Sequence, residues 1–356
     1  MSKLTCDQNT TYRPPSIREI ARRAGVSPST VSRVVNKRVT TVPIAENTRK
    51  KVLEACRRLN YQPNIHATRL FAGRSNSIAF VVPQDTVGFS DVNLGKTLSA
   101  LSVSAAAAGQ EILLLTVDDR FLRSRKHISL FRSRSIDGML IWGATPQHEA
   151  FIGELAQQGN WPVVIVNGSS AGKGLPRLLV DNRAGGAMMA EHLCSLKHQR
   201  IAFLSGPATV MASTARLEGF KAACERFGVE PEVVEGDFTL ESGRALAEQL
   251  LSRPKPPTAI AGVNDSVALG VMEAADALGI RVPEALSVTG GDDVFPYYRP
   301  ALTTFHAPME ELGRDGVRLL LEWIEGNRST REDSQDSYYP VTFKRGATTA
   351  PPSESN

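Results

Sequence analysis

Residues 16–36, SIREIARRAGVSPSTVSRVVN, have the pattern of two short helices joined by a tight turn. The apolar residues of the first segment are Ile17, Ile20, Ala21 and Ala24, and their spacing of three and four places them on one helical face. Ser16 precedes this segment, and serine side chains accept hydrogen bonds from the free N–H groups of a first helical turn. Gly25 follows it and is expected to end the helix, since glycine adopts the left-handed conformation easily.

The second helix is predicted to begin after Ser27, with Pro28 at its first position, where a missing backbone N–H has no cost. Three valines are expected to face back onto the first helix: Val31, Val34 and Val35. The outward side chains are hydroxyls, one amide and one forked donor, namely Ser29, Thr30, Ser32, Arg33 and Asn36. Such groups suit phosphate oxygens and base edges in a major groove, so the segment predicts a helix-turn-helix that binds DNA.

A third helix is predicted to follow, with Val52, Leu53, Cys56 and Leu59 inward and Arg49, Lys50, Lys51, Arg57 and Arg58 outward. Residues 1–74 hold 15 Lys and Arg against four Asp and Glu, a net charge of +11, whereas the remainder holds 26 against 33, a net charge of −7. A basic head on an acidic body is expected for a domain that contacts a phosphate backbone. The alternative is a generic three-helix domain that is merely basic.

The segment after the third helix, YQPNIHATRLFAGRS at residues 61–75, predicts a linker. Pro63 interrupts the chain, Asn64 can cap, and Ile65 to Phe71 could form two helical turns before Gly73. An isolated helix this short is marginal in water, so it could fold when it meets DNA and couple the orientation of the domains to binding.

The rest of the chain alternates strand-length apolar runs with helix-length segments, which predicts an α/β fold with parallel sheets covered on both faces. The first set of runs is SIAFVVPQD, EILLLTVDD, DGMLIWGA and PVVIVNG; the rhythm restarts with LLVDN, RIAFLSG, PEVVEGDF, AIAGVND and LSVTGGDD. We therefore expect an all-α helix-turn-helix head followed by a body of two doubly wound parallel-sheet lobes.

The predicted domains follow from these patterns. They are an N-terminal arm (1–15), a helix-turn-helix domain (16–61), a hinge (62–76), an effector-binding and dimerisation domain (77–349) and a tail (350–356). Lobe 1 is expected to comprise about 77–179 and 306–328, and lobe 2 about 180–305 and 329–349.

Ligands of open parallel sheets bind beyond the carboxyl ends of the strands, so the residues that end each apolar run are candidates for a binding site. These are Gln84, Asp85, Phe89, Trp142, Asn167, Ser205, Asp237, Phe238, Asn264, Asp265, Asp292 and Asp293, together with Arg216 on the helix after RIAFLSG. Carboxylates, amides, aromatic faces and one forked donor suit a hydroxyl-rich molecule such as a sugar, with a nucleoside as the second choice. Alternatively, Asp265 and Asp293 only cap the turns that follow them.

The head and linker resemble the lactose-repressor/galactose-repressor family over SIREIARRAGVSPSTVSRVVN, TRKKVLEACRRLNYQPN and ATRLFAGRS. The resemblance implies a second helix that reads the major groove of a pseudo-palindromic double-stranded DNA operator, and paired hinge helices in the minor groove. It assigns DNA contacts to Ser29, Thr30, Ser32, Arg33, Asn36, Asn64 and Ala67, and a wedging role to Leu70. The segment KRVTTVPIAEN is longer than the usual loop of the family, which leaves the phosphate contacts there undefined.

In the body, ARLEGF, AGVNDSVALG and GGDD are similar to effector-binding segments of the same family, which implies a body like that of periplasmic binding proteins. The resemblance assigns effector contacts to Arg216, Asn264 and Asp292, with Phe238 as a stacking aromatic. Three departures stand at Gly291, Asn167 and Ala307, where the family has an aromatic residue, a carboxylate and a glutamine. We expect them to enlarge or neutralise the pocket. Asn167 and Phe89 complete the predicted effector site.

Other classes of function are disfavoured by the sequence. GSSAG, residues 168–172, matches G-x-S-x-G but precedes a predicted loop and strand instead of a helix, which argues against an esterase with Ser170 as nucleophile. The chain has no phosphate-binding loop, and Cys6, Cys56, Cys194 and Cys224 lack ligand spacing, so we expect no enzyme activity, cofactor, metal or disulfide. A solute-binding protein or a sugar-utilising enzyme is the alternative.

We expect a cytoplasmic homodimer that has no membrane segment. Two heads must span half-sites about one helical turn apart, and the C-terminal tail has no leucine heptads that would form a tetramer. The effector is expected to alter the spacing of the two hinge segments.

Overall fold

The computed structural model describes residues 15–35, 43–62, 73–84, 92–144, 146–158, 160–168, 174–326 and 336–353. Contacts divide the chain into two compact units, Met1–Ser75 and Asn76–Asn356, which we call the head and the body. Within these ranges, none of the helices combines the length and the hydropathy that a membrane span requires.

The head contains helices α1 (Ile17–Ala24), α2 (Pro28–Val35) and α3 (Glu46–Arg58). The Ser16 hydroxyl accepts a hydrogen bond from the backbone N–H of Glu19 at 3.3 Å, and Gly25 ends α1 with φ at 68°. Both ends of α1 are therefore set by local sequence, as predicted. The core of the head consists of Ile20, Ala21, Val31, Val34, Val52 and Ala55.

The expectation that Leu53 faces inward is wrong. Leu53 is 42 % exposed, whereas Val52 and Ala55 are buried. Neighbouring helical residues point about 100° apart, so the face that packs on α1 and α2 follows Val52, Ala55 and Leu59 and excludes Leu53.

Lobe 1 of the body is built on a six-stranded parallel sheet in the order β2-β1-β3-β4-β5-β11. Its strands are β1 (Ser77–Pro83), β2 (Glu111–Val117), β3 (Gly138–Trp142), β4 (Val163–Val166), β5 (Arg177–Val180) and β11 (Asp336–Tyr339). In β1, Ile78, Phe80 and Val82 pack into one core and Ala79 and Val81 into another. Burial on both faces explains why this strand is a continuous apolar run.

Helices cover both faces of this sheet. On one side lie α4 (Val92–Ala107) and α12 (Met309–Ile324); on the other lie α5 (Asp119–Arg123), α6 (Lys126–Arg132) and α7 (Glu149–Gln157). A short 3₁₀ turn, Pro146–His148, precedes α7.

Lobe 2 has a four-stranded parallel sheet in the order β7-β6-β8-β9. Its elements are α8 (Asn182–Ser195), β6 (Ile201–Ser205), α9 (Met211–Arg226), β7 (Glu232–Glu235), α10 (Leu240–Leu251), β8 (Ala259–Gly262), α11 (Asp265–Ala277) and β9 (Ser287–Thr289). Helices α8 and α9 approach so closely at Gly186 that a Cβ atom there would lie 1.9 Å from the carbonyl oxygen of Arg216. Both lobes confirm the predicted fold class.

Crossover segments join the lobes. Strands β10 (Thr304–His306) and β12 (Thr342–Lys344) pair antiparallel, with Phe305 opposite Phe343. After β12 the chain returns to lobe 2, where the backbone N–H of Val288 donates to the carbonyl of Thr348 at 2.8 Å.

The assignment of residues 329–349 to lobe 2 is wrong for β11, which pairs with β5 in lobe 1. The edge strand β11, DSYY, has no apolar run to reveal it. A fork of hydrogen bonds holds it instead, because the guanidinium of Arg177 donates to both carboxylate oxygens of Asp336, at 2.6 and 2.5 Å.

Candidate functional site

Helix α2 presents a polar side opposite its buried valines. Ser29 is exposed, and Thr30, Ser32 and Arg33 are half-buried. The Ser27 hydroxyl accepts from the backbone N–H of Thr30 at 3.2 Å, so it caps α2, which begins after Ser27 as predicted. It also lies 2.8 Å from the Ser29 hydroxyl and 2.9 Å from that of Thr30. The result is a ridge of hydroxyl groups next to one guanidinium.

The other two helices of the head carry exposed cations: Arg18, Arg22 and Arg23 on α1, and Arg49, Lys50, Lys51, Arg57 and Arg58 on α3. Glu54 pairs with Arg58 at 2.5 Å and offsets one of these charges. The remaining excess of positive charge suits a polyanion. Four predicted contact residues, Asn36, Asn64, Ala67 and Leu70, lie outside the described residues.

In the body, two predicted effector residues meet at the carboxyl edge of the lobe 2 sheet. Arg216 on α9 and Asp292 after β9 are 3 % and 4 % exposed. The guanidinium donates to both carboxylate oxygens of Asp292, to the carbonyl of Val263 at 2.7 Å and to Oδ1 of Asn182 at 2.8 Å. The pair is thus a buried, bidentate ion pair with most of the arginine donors engaged.

Phe305 occupies the space beside this pair. Its ring is fully buried, and the guanidinium carbon of Arg216 lies 5.0 Å from the ring centroid. A Cβ atom at Gly291 would lie 2.7 Å from Cε1 of Phe305, and one at Gly185 would lie 2.7 Å from its Cζ. The expectation that Gly291 enlarges the pocket is therefore wrong, because the phenyl ring fills that space and contacts the cation. Ala307, another departure from the family, is also fully buried.

Phe238 and Asn264 lie at the same edge. The Phe238 ring is half-buried and rests on Gly206, where a Cβ atom would lie 2.8 Å from its Cζ. Asn264 caps α11 by accepting from the backbone N–H of Val267 at 2.9 Å, and its amide donates to the carbonyl of Phe238 at 3.1 Å. Asn264 therefore also has a structural role, and its amide retains one further N–H for a ligand.

The lobe 1 candidates are less fully described. Asn167 follows β4, is half-buried and has φ at 51°. Phe89 lies outside the described residues, and so does Ser170. A hydrogen bond joins the two lobes near the site: Nζ of Lys96 on α4 donates to the backbone carbonyl of Asp293 at 3.1 Å.

The two aspartates that sequence reasoning treated as possible caps have other roles. Asp265 is buried and accepts from the Thr304 hydroxyl at 2.6 Å and from the backbone N–H of Val294 at 2.8 Å. Burial raises its pKa to about 7. Asp293 accepts from Nδ1 of His306 at 3.2 Å and pairs with Lys344. Both aspartates tie crossover segments to lobe 2.

Sequence reasoning missed three residues of this site: Asn182, Phe305 and Lys96. Asn182 ends the run LLVDN, so an inspection of every strand end could have found it. Phe305 and Lys96 have no local signal, because their relation to the site depends on packing between distant segments.

Two family profiles match parts of the chain. Residues 16–64 match the profile described as bacterial regulatory proteins, lacI family, and residues 190–349 match a periplasmic binding protein-like domain. The second match contains Arg216, Phe238, Asn264 and Asp292.

Characterised relatives match nearly the whole chain. The chain is 31 % identical to the HTH-type transcriptional repressor PurR of Escherichia coli strain ATCC 8739 over 319 residues, which covers 88 % of this chain and 91 % of that protein. It is 32 % identical to PurR of Proteus mirabilis strain HI4320 over 327 residues, which covers 90 % and 92 %. These relatives are transcriptional repressors and not enzymes.

Solved structures are also similar to this chain over nearly its whole length. The lac repressor dimer bound to operator and the anti-inducer ONPF is 27 % identical, has a TM-score of 0.81 and covers 95 % of this chain and 100 % of that one. The complex of the transcriptional regulator CelR with cellobiose is 25 % identical, has a TM-score of 0.67 and covers 94 % and 99 %.

Proposed function

The chain belongs to the lacI family of bacterial regulatory proteins, so it is a DNA-binding transcriptional regulator. We propose that a small hydroxyl-rich effector controls its affinity for a pseudo-palindromic operator. The observation that carries the effector proposal is the buried Arg216–Asp292 pair at the carboxyl edge of lobe 2. The hydrogen bonds of Arg216 use four of its five N–H donors and leave acceptor sites on the Asp292 carboxylate, so one ligand hydroxyl can accept from Arg216 while a neighbouring one donates to Asp292.

A sugar or sugar derivative is our first choice of effector, and a nucleoside is the second. The half-buried Phe238 ring offers a stacking face for either class, and the Asn264 amide offers a donor. A similar regulator was solved in complex with cellobiose, which supports the first choice. We further propose that the effector binds between the lobes and changes the spacing of the two hinge segments. Such coupling between sites is typically about 1–3 kcal/mol, or about 5–150-fold in operator affinity.

Thermal-shift measurements with panels of sugars and nucleosides test this proposal. We expect one class to raise the melting temperature of the wild type, and Phe238→Ala to lose that rise because its stacking face is removed. Phe227→Ala is the matched control, since Phe227 is 47 % exposed and lies at the far end of α9. The ligand found should then shift operator affinity in fluorescence anisotropy. If no compound of either class raises the melting temperature, the effector proposal is wrong.

For the head, we propose that Ser29, Thr30, Ser32, Arg33 and Asn36 contact operator DNA in the major groove. The hydroxyl ridge of α2 and the exposed cations of α1 and α3 support this assignment. Asn64, Ala67 and Leu70 remain proposed minor-groove contacts, on the resemblance stated above.

We also propose that the body forms a homodimer through the free edge of the lobe 1 sheet. Among the described residues β2 pairs only with β1, and its Leu113 and Leu114 are 37 % and 40 % exposed. Val103 on α4 is 70 % exposed. An exposed apolar edge strand is a liability unless another surface covers it. A second copy is the occupant we favour, because the similar lac repressor was solved as a dimer.

Sedimentation velocity distinguishes the outcomes. The wild type should sediment as a dimer, and Leu114→Glu should shift the equilibrium towards monomer because it places a charge at the centre of the proposed interface. Leu278→Glu is the control, since Leu278 is 45 % exposed at the end of α11 in lobe 2. A wild type that remains monomeric at concentrations that bind DNA would overturn the dimer.

A further inference from the structure

We propose that His306, Glu310 and Glu311 form a binding site for a divalent transition-metal ion at the point where the crossover strand β10 leads into α12. One ligand atom from each of the three side chains lies within 4.8 Å of the others, and all three residues are half-buried. This proposal does not depend on the identity of the effector. The spacing of cysteines and histidines along the chain did not predict the site.

The position of His306 is that of a metal ligand with a carboxylate behind it. Its Nδ1 atom lies 3.2 Å from a carboxylate oxygen of Asp293, so Nε2 is the nitrogen left to bind an ion. Histidine ligands in metal sites almost always donate their other ring N–H to a carboxylate or a carbonyl, which fixes the tautomer and the ring orientation. Asp293 has this relation to His306 without being one of the three ligands.

Asp293 is itself held firmly. Its side chain is 12 % exposed and pairs with Lys344 on β12, and its backbone carbonyl accepts from Lys96 at 3.1 Å. Lys344 offsets the carboxylate charge of Asp293, which leaves the two glutamates to balance the charge of the ion. Without an ion, Glu310 and Glu311 still suit the first turn of α12, where negative charge is favourable. That role requires no histidine. If it were the only role of the two glutamates, replacing His306 would not change ion binding.

One imidazole and two carboxylates suit a first-row divalent ion such as Zn²⁺ or Co²⁺. Zinc bonds to nitrogen and oxygen are about 2.0–2.2 Å long, so the ligand atoms of one ion must lie less than 4.8 Å apart. The other coordination positions would take water. The backbone of His306 also forms a β-bridge with that of Asp292 in lobe 2, while the two glutamates lie on α12 of lobe 1. A bound ion would therefore restrain the crossover between the lobes.

The test uses the full chain after removal of metals by chelation, with Zn²⁺ titrated in a calorimeter and Co²⁺ followed by visible absorption. We expect His306→Ala, and independently Glu310→Gln with Glu311→Gln, to weaken binding by more than about 10-fold. Asp293→Asn should weaken it by about 10-fold while the Co²⁺ ligand-field bands persist, because Asp293 positions the imidazole and does not bind the ion. Glu325→Gln, just past the far end of α12, is the matched control and should bind as the wild type does.

Circular dichroism of each variant establishes that it is folded. If His306→Ala does not fold, the glutamine double variant decides the question, since its substituted residues are half-buried and nearly isosteric with the originals. The proposal is overturned if the wild type binds neither ion, or if folded His306→Ala or the glutamine double variant binds as tightly as the wild type. A thiolate charge-transfer band with Co²⁺ would place the ion on a cysteine and would also overturn it.

Discussion

Replacing Arg216 by methionine isolates the ion pair at the centre of the candidate effector site. Methionine retains much of the aliphatic volume of arginine but leaves the Asp292 carboxylate, which is 4 % exposed, without its guanidinium. It also removes donors from Asn182 and from the carbonyl of Val263. Breaking a buried ion pair by removing one partner costs about 3–5 kcal/mol. For a body of this size that lowers the melting temperature by roughly 6–20 °C, at about 2–4 °C per kcal/mol.

The matched control is Arg226→Met, on the same helix. Arg226 pairs with Glu191, but both side chains are about half exposed, at 57 % and 47 %. An exposed pair contributes at most about 1 kcal/mol, so this variant should unfold close to the wild type. Urea unfolding followed by tryptophan fluorescence measures the free energy of unfolding of both variants. Thermal unfolding followed by far-ultraviolet circular dichroism measures their melting temperatures.

A second substitution tests whether the cost arises from the pair. Asp292→Asn added to Arg216→Met removes the unpaired charge, so the double variant should recover at least about 1 kcal/mol relative to the single arginine variant. If Arg216→Met unfolds like Arg226→Met, or if the two substitutions are additive, the two side chains do not form the buried pair described above. The interpretation of the site as a preformed donor and acceptor would then be refuted.

Three further predictions concern other parts of the molecule. Arg33→Ala should weaken operator binding and lower its salt dependence, as measured by anisotropy at several salt concentrations, and an unchanged salt slope would exclude a phosphate contact. Leu70→Ala should reduce DNA bending, and it should weaken specific binding more than non-specific binding. Equal bending by the wild type and the variant in a gel assay would refute the wedging role of Leu70. Burial raises the pKa of Asp265 from 3.8 to about 7, so its ionisation opposes folding, and the free energy of unfolding should fall as pH rises from about 4 to 7. Asp265→Asn should lessen that fall in urea unfolding, whereas the exposed Asp276→Asn on the same helix should not; equal pH profiles for the two variants would contradict the assignment.

Local patterns predicted the head well, because its helix ends depend on neighbouring residues. A serine cap, a glycine with positive φ and a proline at a first helical position act within one turn of the chain. Leu53 is the exception, since the inward face of α3 depends on how that helix is rotated against the other two. The rotation of α3 about its own axis is decided by its packing against α1 and α2, which the sequence of α3 alone does not encode.

Strand-length apolar runs predicted most strands of the body, because a parallel strand covered on both faces must be apolar throughout. The edge strand β11 escaped detection for the same reason, since it is only partly covered and is held in register by Arg177 and Asp336.

The sequence by itself determined that this chain has a basic helix-turn-helix head and a body of two parallel-sheet lobes. It also singled out an aspartate at the carboxyl end of a lobe 2 strand and an arginine on a helix of the same lobe. The tertiary structure alone decided that Arg216 and Asp292 pair with each other, and that Phe305 fills the space beside Gly291. Helix caps and apolar runs act over a few residues, so they can be read along the chain. Ion pairs and ring contacts between residues tens of positions apart depend on how the lobe packs.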